Sequence, residues 1–210
     1  IGNCCDLNYA IGYQFPGGFA EYCLLNATTV KYGPVTRMPE GMAYDTATLA
    51  EPLACVRNGL ELAQMAAGKS GLVVGAGPMG CIITSAAHAM GASGIIISET
   101  DSGRLAAAKR FGADTLINPG EQDLVTAVRD ATAGKGCNVV VVATPSAAAQ
   151  QTAISCVAKR GFVNLFSGLP KGSATINVDP NFLHYNEAYV FGSHGCVPRH
   201  HKRAVEMLAE

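Results

Sequence analysis

The chain has 210 residues, 49% of them hydrophobic and 15% charged, with a formal net charge of -1. That supplies apolar material for one large or two small cores, and the near balance of charge gives no electrostatic footprint for nucleic acid or an anionic lipid surface. A small molecule is therefore the expected ligand. The eight cysteines are scattered without a CxxC or a dense disulfide pattern, which implies reduced thiols in a cytoplasmic setting.

In chain order, the opening Ile1-Gly2-Asn3-Cys4-Cys5-Asp6 has neither the basic start nor the apolar stretch of a signal peptide, and so abrupt a start suggests an internal piece of a longer protein. Residues 1 to about 43 hold most of the tyrosines, the turn Pro16-Gly17-Gly18 and short mixed runs such as Phe19 to Leu25, which predict pieces of antiparallel β structure. A helical pattern then runs from Asp45 to about Ala67, with Asp45 or Thr46 as caps and Pro52 inside it. Within that pattern TLAEPLAC sets Glu51 among apolar residues. A domain boundary is expected near Glu51 to Cys55, dividing the chain into residues 1–52 and 53–210.

From Ser70 to Ser98 there is no Asp, Glu, Lys or Arg, a stretch long enough for a membrane span. Six glycines and Pro78 interrupt it, and β-branched runs flank an Ala-rich middle, so a buried strand-turn-helix-strand unit is predicted and no membrane partner. Further strands are predicted at 114–117, 138–143, 161–166 and 189–193. Helices are predicted at 79–90, 102–111, 122–132, 147–159 and 198–210, with Gly112, Gly134 and Gly161 as left-handed stops. Strands alternating with helices imply an α/β fold, a doubly wound parallel sheet.

The turn between the first two of these strands reads Gly75-Ala76-Gly77-Pro78-Met79-Gly80, a G-x-G-x-x-G pattern between a strand and a helix. Gly75 permits a tight turn, Gly77 lets main-chain amides approach a pyrophosphate, and Gly80 lets the helix pack on the sheet. The helix N-terminus at Pro78 and Met79 supplies partial positive charge. Glu99, about twenty residues on, stands where a carboxylate accepts from ribose hydroxyls and repels a 2′-phosphate, which favours NAD over NADP. Arg104 lies close enough to bear on that choice. The bland alternative is that Glu99 caps the helix starting at Ser102.

The ordered set GGFAEY (17–22), EPLAC (51–55), GAGPMG (75–80) and RLAAAKRFGADTL (104–116) resembles the medium-chain zinc-dependent alcohol dehydrogenases, particularly their sorbitol and threonine dehydrogenase branch. The resemblance spans essentially the whole chain. It implies a partial β-rich GroES-like catalytic domain over residues 1–52, a Rossmann domain over 53–210, a zinc ion between them, and a homodimer or homotetramer. It also implies that Glu51 is the catalytic residue at the zinc, with its desolvation offset by the cation, and that Cys5 matches the last of four cysteines of a structural-zinc lobe. Thr144 after the fourth strand and Leu169 after the fifth are carried as cofactor neighbours. The implied reaction moves hydride between NAD and a secondary alcohol, a polyol or an amino alcohol.

The chain departs from the family in three respects. The other catalytic-zinc ligands and three partners of Cys5 belong upstream of Ile1, Thr144-Pro145 replaces a usual glycine, and the chain stops early in its last helix. Cys55 is a competing thiol one turn from Glu51, ranked lower because Glu51 matches the family position. His200 and His201 read as a solvated face, and His194 is left without a catalytic role. Two alternatives remain: a zinc-independent NADPH reductase of the same superfamily, and a non-catalytic nucleotide-binding module.

Overall fold

The structure, a computed structural model, describes residues 4, 6, 9–172 and 174–210. In chain order the helices are α1 (Ala27–Tyr32), α2 (Tyr44–Ala47), α3 (Ala50–Leu62), α4 (Pro78–Ala89), α5 (Ser102–Ala108), α6 (Leu124–Ala131), α7 (Ala147–Ile154), α8 (Pro180–Asn186) and α9 (Pro198–Ala209). The strands are β1 (Ser70–Val74), β2 (Gly94–Ser98), β3 (Thr115–Ile117), β4 (Cys137–Val142), β5 (Val157–Leu165) and β6 (Tyr189–Gly192). By packing, the chain forms two compact units, one of residues 1–58 with 194–210 and one of Gly59–Ser193. This division differs from the one drawn at residue 52 on motif grounds, because α9 packs with the first unit.

Within Gly59–Ser193 the six strands pair in parallel in the order β3-β2-β1-β4-β5-β6. The central strands are buried on both faces, as consecutive residues Leu72 and Val73 show at 0% and 2% exposure, and this is why they read as continuous apolar runs. On one face Leu72, Val74, Ile96, Val140 and Val142 pack with Leu124 and Val128 of α6 and Ala153 and Ile154 of α7. Helix α4 packs along β1 and β2. Local signals start the helices: Asp101, Asp123 and Ser146 each accept a backbone N–H at the N-cap of α5, α6 and α7. A left-handed Gly112 closes the turn after α5.

Four local expectations are corrected. Helix α7 ends at Ile154, not near Lys159, because Val157 already pairs with Cys137 as the start of β5. That strand then bulges: β4 advances from Cys137 to Val139 while β5 advances from Val157 to Phe162, and Arg160 takes the left-handed φ of 59°. Gly161 is thus a strand residue where a Cβ would meet the Asn138 carbonyl at 2.8 Å, and not a helix stop. The helix expected over 45–67 is two, α2 and α3, with Pro52 in the first turn of α3, where the absent N–H has no intrahelical partner to lose. Finally, Phe19 to Leu25 forms no strand; among the described residues of this opening segment there are only the isolated Ile11–Phe15 bridge and α1, capped by Asn26.

Candidate functional site

Parallel strands all end on the same edge of the sheet. The chain reverses its winding between β1 and β4, the position where open α/β sheets leave a crevice at the carboxyl ends of their strands. The glycine-rich turn follows β1 at that crevice. Gly75 adopts φ +105° while its N–H bonds the Ser98 carbonyl at 2.7 Å, so β1 stays tied to β2 as the chain turns away. A Cβ on Gly75 would stand 3.3 Å from the Ala143 carbonyl and from Thr144 Cβ, which places Thr144 against the turn.

The remaining two glycines differ in what they face. A Cβ on Gly80 would come within 1.8 Å of the Gly75 carbonyl oxygen, so α4 can seat on the turn only with hydrogen at that position. A Cβ on Gly77 would meet nothing within 4 Å, and its backbone is ordinary extended chain at φ -70°. Nothing in the protein itself requires glycine there; the open cradle fits a ligand that approaches the main chain closely. Pro78 begins α4 without an N–H, leaving the amides of Met79 and Gly80 as the first helical donors toward that cradle.

Glu99 follows β2 and lies beside the turn. Its Oε2 accepts the Ala76 N–H at 2.9 Å, and its Oε1 accepts N–H groups of Thr100 at 2.8 Å and Asp101 at 3.1 Å. Burial works to raise its pKa, but the bonds from Asp101, Ala76 and Thr100 outweigh it and hold the carboxyl below the usual range. The cap of α5 is Asp101, which accepts the Arg104 N–H at 2.8 Å; Glu99 instead ties the turn at Ala76 to the start of the α5 loop, with Thr100 Oγ1 also donating to Oε1 at 3.2 Å, and its Oε2, which takes one donor, keeps room for a second. Arg104 is exposed in the first turn of α5, and Leu169 is half-buried beyond the C-terminal end of β5.

A second group lies in the other unit. Glu51 and Cys55 stand one turn apart on α3, with the Cys55 Sγ–H donating to Glu51 Oε1 at 3.1 Å. Cys196, on the loop between β6 and α9, completes a cluster in which one donor atom from each residue lies within 4.8 Å of the others. Asn58, at i+7 from Glu51 on the same helix face, donates from Nδ2 to the carbonyls of His194 (3.4 Å) and Gly195 (3.0 Å), and Gly195 turns the loop at φ 60°. Hydrogen bonding to Cys196, burial and the Glu51 charge hold the Cys55 proton well above the usual thiol range, and the same bond from Cys55 lowers Cys196.

Glu51 is exposed. The argument that a cation must offset its desolvation therefore fails, and what marks Glu51 is the donor set around it. The solvated-face reading of the histidine pair also fails: His200 is 2% exposed with Nδ1 accepting the Val197 N–H at 3.3 Å, and His201 is half-buried with Nδ1 2.9 Å from Thr36 Oγ1. Burial lowers the pKa of His201, against the pull of the Glu51 charge. Sequence reasoning weighed Cys55 and missed Cys196; the Glu51-x-x-x-Cys55 helical spacing was legible, whereas the loop that delivers Cys196 was not. Cys5 lies outside the described residues, and every described cysteine is a free thiol. Among the described residues no helix is long and apolar enough to cross a membrane.

Residues 78–210 match the family model described as zinc-binding dehydrogenase. Among curated proteins the chain is 35% identical over 191 residues to L-threonine 3-dehydrogenase of Pyrococcus horikoshii, covering 91% of the chain and 53% of that protein. It is 29% identical to sorbitol dehydrogenase of Bacillus subtilis, covering 90% and 52%. Among solved structures, a zinc-binding dehydrogenase of Sinorhizobium meliloti bound to NADP superimposes with a TM-score of 0.78 at 25% identity, covering 83% of this chain and 51% of that one. The chain spans about half the length of the curated relatives it matches.

Proposed function

Because the chain belongs to the zinc-binding dehydrogenases, we propose that it is the dinucleotide-binding part, with a piece of the catalytic part, of an NAD-dependent oxidoreductase acting on a secondary alcohol, a polyol or an amino alcohol. The threonine and sorbitol dehydrogenases among its relatives support that substrate class. Residues 1–52 are read as a remnant of the catalytic domain and 53–210 as the NAD-binding domain. The protein is assigned to the cytoplasm and the intact enzyme to a homodimer or homotetramer, on the resemblance.

The observation that carries this reading is the open cradle at Gly77, at the head of α4 and beside the Glu99 carboxylate, where the winding reverses between the paired strands β1 and β4. Amides of Met79 and Gly80 would face a diphosphate there, and their alignment with the helix would favour its negative charge. Glu99, held ionised by its donors, would accept from a ribose hydroxyl and disfavour a 2′-phosphate, so NAD would be preferred even with Arg104 nearby. Thr144 bounds the turn, and Leu169, beyond the C-terminal end of β5, would line the nicotinamide. Glu51 would hold the catalytic zinc, and Cys5 is carried as the residue matching the structural-zinc lobe. Bound zinc would supply Lewis acidity toward the substrate C–O bond and bound NAD a hydride acceptor; the chain's own part would be to fix the cofactor and to place one carboxylate.

The test is titration of the chain with NADH and NADPH, followed by nicotinamide emission against a chain that contains no tryptophan. NADH should bind more tightly. Gly77→Asn, which keeps a good N-cap residue, should weaken NADH by about tenfold or more, about 1.4 kcal/mol, without lowering the melting temperature. No NADH binding, or binding indifferent to Gly77→Asn, overturns the reading.

A further inference from the structure

We propose that Glu51, Cys55 and Cys196 together form a thiolate-rich site for a zinc-type divalent cation, so that this chain supplies three protein ligands by itself. The inference rests on the zinc reading for Glu51 alone; that reading gives no role to either thiol.

Helix geometry brings the first two donors together. Residues i and i+4 project from one face, and Glu51 and Cys55 already meet at 3.1 Å. Cys196 arrives from far along the chain and would be poorly placed on a loose loop. Its loop is instead held to α3 by the buried Asn58 amide through two consecutive carbonyls, and Gly195 makes the turn immediately before the thiol. The result is three donors of matching chemistry gathered within 4.8 Å.

The spacing suits the ion. Zinc takes thiolate sulfur at about 2.3 Å and carboxylate oxygen at about 2.0–2.2 Å in a tetrahedron, so its donors stand roughly 3.4–3.8 Å apart. Donors within 4.8 Å close to that separation by small χ rotations, with the helix and loop left in place. Two thiolates with one carboxylate favour zinc over magnesium or calcium, which prefer oxygen. Protons now on the cluster are what the cation displaces, so binding releases them. The exposed Glu51 carboxylate gives the ion a way in, and three protein ligands leave a fourth position open to water or another ligand.

The experiment uses the reduced, chelator-stripped chain titrated with Co²⁺ without oxygen. One ion should bind, with a near-ultraviolet thiolate-to-cobalt band that zinc abolishes on displacement. Cys55→Ser and Cys196→Ser should each remove about half of the band and weaken the ion about tenfold or more. Glu51→Gln should weaken binding with the band retained, and Cys23→Ser, at an exposed thiol, should change nothing. On the unsubstituted chain, zinc should protect Cys55 and Cys196, and not Cys23, from alkylation read by mass spectrometry. Absence of the band, indifference of metal binding to both cysteine variants, or equal alkylation with and without zinc overturns the proposal; so does a chain that forms only a Cys55–Cys196 disulfide in air and binds no ion when reduced. NADH binding with no thiolate site sinks this inference and leaves the dehydrogenase reading standing, and the reverse result separates them the other way.

Discussion

In the unit of Gly59–Ser193, Leu72, Val73, Ile95, Ile97, Val140 and Val142 are all buried; in the unit of residues 1–58 and 194–210, Tyr13, Phe19, Tyr22 and Leu24 lie open to solvent. Both segments carry residues that favour strands, yet only the first pairs them. The difference teaches that a strand is made by its neighbours: Leu72 is flanked by Ile96 and Val140, while Phe19 to Leu25 has no partner among the described residues. β-propensity reflects packing on a half-buried surface more than any preference of the isolated backbone.

The sharpest way to break that contrast is Gly80→Val. The added atoms meet the Gly75 carbonyl with no room to yield, so stability measured by urea denaturation with far-ultraviolet circular dichroism should fall by about 3 kcal/mol or more. A loss below about 0.5 kcal/mol would show that α4 does not seat on the turn as described. A smaller effect is expected at Glu99. Its folded pKa is lowered, so the carboxylate contributes stability that is present above its unfolded value and lost as pH falls through the folded one. Glu99→Gln should therefore be less stable near neutrality and lose less on acidification below about pH 5, the two denaturation midpoints converging in acid; parallel curves would remove Glu99 from its network. The smallest effect is expected in the other unit, where Phe19→Ser should change stability by no more than about 0.5 kcal/mol, since the ring is already in solvent. A loss of about 2 kcal/mol or more would mean that the ring is buried after all and would erase the comparison.

Much of the parallel sheet was legible because its signals are local. GAGPMG sits between two β-branched runs, and Leu124 with Val128 announces the buried face of α6. Helix α8 was equally announced, by Asp179 as N-cap and Pro180 at the first helical position, and was overlooked for want of apolar periodicity. The start of β5 was hidden by its bulge, since Ile154 and Val157 satisfy a helical spacing while belonging to different elements. In the candidate site, the glycine-rich turn could be read from its three glycines, but the distinction between a glycine the protein needs, Gly80, and one it leaves open, Gly77, required coordinates. The Cys196 thiol was invisible because loop closure through Asn58 is a tertiary fact.

The irregularity where β5 passes Arg160 has a practical corollary. The surplus residues lie at the strand's entry and include the exposed Lys159 and Arg160, while the glycine-rich turn lies at the opposite, exit end of the strands. Extra length has already been absorbed there without disturbing the pairs Val139–Phe162 and Val140–Val163. A short epitope or fluorophore-bearing insert between Lys159 and Arg160 would report on this protein from the end of the sheet opposite the glycine-rich turn.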